Sequence, residues 1–182
     1  MYKIAILGLG YVGLPLAVAL GKKYKLVGYD LNTKRITQLK SKIDYNSEFK
    51  KKDLLATNIT YTSILSDLKE CNIYIVTVPT PVNSRNKPDL RPIIKATRDI
   101  SKYLKKNDIV VYESTVFPGV TEEICAPILE KNSKLKFNKD FFCGYSPERI
   151  NPGDKIHKLE NIVKVVSGSN RKSLNIIKKI YG

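Results

Sequence analysis

The chain has 182 residues, 42% hydrophobic and 27% charged, which is enough for one substantial core and too evenly mixed for a disordered or fibrous protein. No apolar run approaches the roughly 18 residues that a bilayer span needs. The apolar start is broken by glycines and has no small-residue cleavage pattern behind a basic stretch, so no secretory signal is expected and the protein is predicted to be cytoplasmic, with no membrane partner.

Lysine and arginine number 32 against 17 acidic residues, a formal net charge of +15. The surplus is scattered over helix ends and loops without interleaved aromatics, which predicts solvated faces and no nucleic-acid partner. Cys71, Cys125 and Cys143 lie too far apart for a metal or redox pair, and an odd count argues against a disulfide framework. Buried, reduced thiols and no metal are expected.

Taken in chain order, short apolar runs alternate with amphipathic stretches. A strand is expected at residues 3–7 and a helix at 11–22, then a strand at 25–29 and a helix at 34–42. Helical turns at 53–57 and 63–69 flank a third strand at 59–61. A fourth strand at 73–78 precedes a helix at 90–104, and a fifth at 109–112 precedes a helix at 120–131. Strands at 141–144 and 162–166 and a helix at 171–181 complete the pattern. Such alternation predicts an α/β fold, a Rossmann-like doubly wound parallel sheet with ligands at the carboxyl ends of its strands. One domain, residues 1–182, is expected. The sequence stops in an amphipathic stretch just after the last expected strand, which reads as the edge of a longer protein.

The strand ends carry the chemistry. Gly8, Gly10 and Gly13, in Gly8-Leu9-Gly10-Tyr11-Val12-Gly13, follow the first strand and open the first helix, where a tight turn must let a pyrophosphate approach backbone amides. Asp30 ends the second strand, twenty residues past Gly10. The pairing predicts a dinucleotide site in which Asp30 accepts from the adenine-ribose hydroxyls and repels a 2′-phosphate, selecting NAD over NADP. Lys34 and Arg35 fit either a contact to that ribose or its phosphate, or plain helix-surface cations. Thr77-Val78-Pro79-Thr80-Pro81 ends the fourth strand and exposes backbone where a cofactor could lie. Ser114 and Thr115 stand at the tip of the fifth, as helix caps or as contacts to nicotinamide and substrate. Beyond the sixth, Glu148 and Arg149 are open to two readings: acid or base and anion holder, or an adjacent pair on a proline-bracketed loop. His157, the only histidine, has no telling partner.

Together, GLGYVGLPLA, Asp30, TVPTP, YESTVFPG and YSPERINPGD resemble the N-terminal NAD-binding domain of the UDP-glucose/GDP-mannose dehydrogenase family, over essentially the whole chain. A 3-hydroxyacid dehydrogenase shares the first βαβ unit but not YESTVFPG or SPERINPG. The PERINPG loop is similar to that of bacterial UDP-N-acetylglucosamine and UDP-N-acetylgalactosamine 6-dehydrogenases, which supply uronic acids for surface polysaccharides. The resemblance implies NAD-dependent oxidation of the C6 hydroxyl of a UDP-N-acetylhexosamine through a cysteine-bound intermediate. Related enzymes acting on UDP-glucose or UDP-ManNAc, and an NAD-binding module without catalysis, are the alternatives.

The family's nucleophile sits in a G-G-x-C motif and its oxyanion-stabilising Lys and Asn on a central helix; neither matches this sequence, so the chain is expected to be the cofactor-binding half and inactive alone. Carried over, Tyr11, Val12, Asp30, Arg35, Thr80, Ser114 and Thr115 line the cofactor. Thr115 and Glu148 face the reacting carbon, Glu148 as the general base of thioester hydrolysis, and Glu148, Arg149, Ile150 and Asn151 line the sugar. The UDP-glucose branch has a second Glu where Pro152 stands here, so its role does not transfer. The family's dimer forms largely through the central helix, so a homodimer or higher is expected of the full-length enzyme and a monomer is open to this part.

Overall fold

A computed structural model describes residues 2–82, 87–148 and 163–182. Seven strands form one sheet in the order β3-β2-β1-β4-β5-β6-β7. They are β1 (Ile4–Leu7), β2 (Leu26–Tyr29), β3 (Ile59–Thr62), β4 (Ile73–Val76), β5 (Ile109–Tyr112), β6 (Phe142–Tyr145) and β7 (Ser167–Gly168). The first six run parallel. Their connections carry α1 (Gly13–Gly21), α2 (Thr33–Lys40), α3 (Lys51–Leu55), α4 (Arg91–Ser101) and α5 (Ala126–Ser133), with a 3₁₀ turn at Leu65–Leu68; α6 (Arg171–Tyr181) follows β7.

The expected parallel, doubly wound sheet is present, and its central strands are apolar throughout because helices cover both faces. Ile4, Ile6, Ile73, Ile75, Ile109 and Val111 pack beneath α1, α2, α3 and α6, while their alternating neighbours Ala5, Leu7, Tyr74, Val76, Val110 and Tyr112 face α4 and α5. The period of two thus splits each strand between two cores.

Two expectations need correction. The last strand is not residues 162–166: among the described residues, 163–166 lie outside any strand, and the strand is Ser167–Gly168, antiparallel to β6. The Val-Lys-Val-Val run has strand composition, yet Val163 is 87% exposed and Val165 52%, and of the alternate positions only Val166 packs on the core, Lys164 being the other. The helix expected at 120–131 is split, with Val120–Cys125 wound as a π-helix before α5. Pro127 supplies no N–H and crowds the carbonyl four residues back, which widens the preceding turn.

Register positions the site. Ile4 pairs with Leu26 and Ile73, Ile73 with Ile109, and Ile109 with Phe142. Leu7, Tyr29, Val76, Tyr112 and Tyr145 therefore end their strands in a row, and Gly8, Asp30, Thr77, Glu113 and Ser146 step off that edge side by side, neighbours about 4.8 Å apart. The order reverses between β1 and β4, which opens a crevice beside Gly8.

Candidate dinucleotide site at the sheet edge

Gly8 leaves β1 at φ +98°, a left-handed conformation that only glycine adopts cheaply, and donates its N–H to Tyr29 O at 2.9 Å. Thr77, leaving β4, donates its hydroxyl to Leu7 O at 3.0 Å or Gly8 O at 2.7 Å, which ties the turn to the neighbouring strand. A Cβ on Gly13 would stand 1.8 Å from Gly8 O, so the absence of a side chain there lets α1 close onto the loop. At Gly10 a Cβ would meet nothing within 4 Å. That emptiness faces solvent at the start of α1, whose first turn carries no acidic residue and whose N-cap, Val12, makes no side-chain cap. Backbone N–H groups and the positive end of a helix dipole without a competing carboxylate suit a phosphate. Tyr11 is 45% exposed on the same loop, and Val12 is buried beneath it.

Asp30 holds this loop from the side. One carboxylate oxygen accepts Leu9 N–H at 2.7 Å and the other Asn32 N–H at 2.8 Å, which fixes the carboxylate and leaves each oxygen a further lone pair for an incoming hydroxyl. Arg35 does not lie on the helix surface. Its side chain is buried, with Nε donating to Leu9 O at 3.0 Å and Nη1 to Asp44 Oδ1 at 2.8 Å. Asp44 is fully enclosed and also accepts from the backbone N–H groups of Asn46, Glu48 and Phe49. Arg35 Nη2 is buried with no hydrogen-bond partner among the described residues. A buried donor left idle is costly, and a ribose or phosphate oxygen near Leu9 would satisfy it. The open face at Gly10, the uncapped helix and this idle donor all fit a dinucleotide.

On the other side of the crevice the tips of β4 and β5 are stitched together. Ser114 is buried and its hydroxyl donates to Val78 O at 2.8 Å; Thr80 donates to Thr115 O at 2.5 Å. Neither hydroxyl at 114 and 115 is the cap of the following helix, whose N-cap is Gly119. Thr115 is exposed at the tip. Glu148 is half-buried beyond β6. Arg149, Ile150, Asn151, Pro152 and His157 lie outside the described residues.

Several residues of this edge carry no sequence signal of their own. Glu113 is enclosed and takes the ammonium of Lys164 on one oxygen and the Tyr181 hydroxyl on the other at 2.6 Å. Burial pushes its carboxyl above the ordinary range, against the pull of Lys164 and Tyr181, and the charge of Glu148 pushes the same way. Asp44 and Ser146 were equally silent; Ser146 is fully buried with a hydroxyl that has no partner among the described residues. Only an acid inside an apolar strand end, at Glu113, offered a hint.

The three cysteines are free and buried, and burial raises each thiol, Cys71 to about 11. None is poised as a thiolate nucleophile. Among the described residues no cluster of His, Cys, Asp or Glu is arranged for a metal, and no helix is long and apolar enough to cross a membrane.

Residues 2–182 match the UDP-glucose/GDP-mannose dehydrogenase family, NAD binding domain. A UDP-N-acetyl-D-glucosamine 6-dehydrogenase of Pseudomonas aeruginosa is 54% identical over 180 residues, 98% of this chain and 43% of that protein. Protein CapL of Staphylococcus aureus is 53% identical over 178 residues, 98% of this chain and 42% of its own length. A solved UDP-D-ManNAc dehydrogenase from Pyrococcus horikoshii superposes with a TM-score of 0.86 at 32% identity, covering 98% of this chain and 44% of that one. The chain thus spans less than half the length of the relatives it matches.

Proposed function

Because the chain belongs to the UDP-glucose/GDP-mannose dehydrogenase family, we propose that it is the cofactor-holding part of an enzyme that oxidises the C6 hydroxyl of a UDP-N-acetylhexosamine to the uronic acid for surface polysaccharide. The observation that carries this reading is the open face at Gly10, bracketed by Asp30 and the idle Nη2 of Arg35 at the point where strand order reverses. The match to UDP-N-acetyl-D-glucosamine 6-dehydrogenases supports the choice of sugar.

Gly8, Gly10 and Gly13, with Tyr11 and Val12, form the pyrophosphate turn. Asp30 and Arg35 take the adenine ribose, while Thr80, Ser114 and Thr115 border the nicotinamide end. NAD supplies the hydride acceptor when bound. Ser114 and Thr80 act by fixing the β4 and β5 tips to each other, which leaves Thr115 free to donate to a substrate oxygen. Glu148 acts as general base toward the water that releases the product, with Arg149, Ile150 and Asn151 beside the sugar. The nucleophilic thiol comes from outside these 182 residues, since the buried thiols here are held protonated. We place the protein in the cytoplasm.

The test uses the full-length protein with NAD and UDP-N-acetylglucosamine. Wild type forms two NADH per sugar; Glu148→Gln gives a burst and then stalls, its steady rate lower by about 10² to 10⁴. A wild-type rate in Glu148→Gln overturns the assignment of Glu148. Absence of NADH with every UDP-sugar, alongside intact NAD binding, favours the reading as a cofactor-binding module, which the lack of a poised thiol in this chain also suits. Turnover by these 182 residues alone contradicts the account of the nucleophile.

A further inference from the structure

The enclosed Glu113–Lys164 pair has no task in the mechanism above, and it is an expensive thing to build. Glu113 has no side-chain exposure and Lys164 only 7%. Taking two charges out of water costs more than their attraction repays unless further hydrogen bonds complete the arrangement, and apolar residues of the same volume stabilise a core as well or better. The completing bond is present: the Tyr181 hydroxyl donates to the second Glu113 oxygen at 2.6 Å. Three remote segments therefore converge on one carboxylate: the tip of β5, the stretch before β7 and the last residue of α6.

The location is specific. Glu113 immediately precedes Ser114 and Thr115, its N–H continues the β4 ladder to Val76 O at 2.8 Å, and it stands beside Ser146 across the β5–β6 pair. Glu148 is two residues past Ser146, close enough for its charge to bear on both Glu113 and Tyr181. The titratable groups gathered here are Glu113 just past β5, Glu148 beyond β6, Lys164 before β7 and Tyr181 at the end of α6.

We propose that Glu113 is a positioning residue for the reaction read above: by holding Lys164 on its own carboxylate it cancels a buried ammonium beside the strand tips and so sets the field in which Glu148 works. The inference rests on the reading of Glu148 as the base. Its electrostatic half can be measured without turnover. With Glu113 neutral, the ammonium is uncompensated and lowers the proton affinity of nearby carboxylates. With Lys164 neutral, Glu113 either stays charged and raises that affinity or takes up a proton and leaves it alone.

The experiment follows the Glu148 side-chain carboxyl by ¹³C NMR across pH in this chain, assigned by its loss in Glu148→Gln. Glu113→Gln keeps the shape and both hydrogen-bonding partners while removing the charge. Its Glu148 midpoint is expected about one pH unit lower than in wild type. Lys164→Met is expected to move it up or not at all, and Glu113→Gln with Lys164→Met to return it close to the wild-type position. An unmoved midpoint in Glu113→Gln, or a downward shift that persists in the double variant, overturns the proposal. Because Glu113→Gln preserves the packing, an unmoved midpoint in that variant alone overturns the proposal whether or not Lys164→Met folds. In full-length enzyme the acid limb of kcat shifts in the same directions. A full-length wild type that forms no NADH counts against the proposed function, while the Glu148 titration still decides whether Glu113 sets the field.

Discussion

The two sides of the crevice are built by different means. Around β1 and β2 the site is local: Gly8, Gly10, Gly13, Asp30 and Arg35 fall on one continuous stretch from the end of β1 to the first turn of α2, and backbone groups do most of the holding. Around β5 and β6 it is remote: Glu113 is completed by residues 51 and 68 positions away in sequence. A backbone cradle needs glycines at fixed spacing, whereas a buried side-chain pair can recruit its partners from anywhere in the chain. The first is written in a motif and the second only in the fold.

The largest expected effect separates fold from function within the cradle. Gly13→Ala places a Cβ 1.8 Å from a backbone carbonyl, and neither side can yield cheaply. A loss of more than about 3 kcal/mol is expected in chemical denaturation. Gly10→Ala meets open space and is expected to keep or slightly raise the melting temperature while reducing NAD affinity at least about tenfold. Equal NAD affinity in Gly10→Ala and wild type would show that this face holds no phosphate.

Next in size is Arg35→Met. It strands Asp44 as an enclosed charge that keeps only backbone donors, and it releases Leu9 O. A loss of about 3 to 5 kcal/mol is expected, recovered in large part by adding Asp44→Asn. A loss under about 1 kcal/mol would make Arg35 the surface cation that its helical position suggests.

Arg35 also shows how far sequence carries. The glycine turn, Asp30 and the six parallel strands were legible, because each depends on short-range spacing and on apolar runs buried on both faces. Arg35 read equally well as a surface cation, since nothing in its neighbourhood announces that Asp44 closes over it. The final strand was misplaced because the β-branched run at 163–166 carries strand composition, while Lys164 within it is taken by Glu113 and Val163 and Val165 face solvent, leaving Val166 alone to pack on the core. Pro127 was visible, but its effect, a widened turn at Val120–Cys125, depends on how the chain relieves the clash.

The smallest effect is a slope. Glu113 has its proton affinity raised in the folded state above the ordinary 4.5. Between that value and its raised one, the native protein holds more protons than the unfolded chain, so stability falls as pH rises through the window. This decline is expected in wild type and flattened in Glu113→Gln, read as melting temperature against pH. Equal slopes in the two proteins contradict the enclosure of Glu113, since Asp108, which burial raises to about 6, contributes alike to both.

The central claim is that Asp30 and the Gly10 face together form a site for NAD. Calorimetric titration of this chain with NAD and with NADP tests it most directly, because the Asp30 carboxylate, fixed by Leu9 and Asn32 N–H groups, stands where a 2′-phosphate would bring like charge. Saturable NAD binding with NADP at least about tenfold weaker is the predicted result, and equal affinities, or no binding of either, would contradict it.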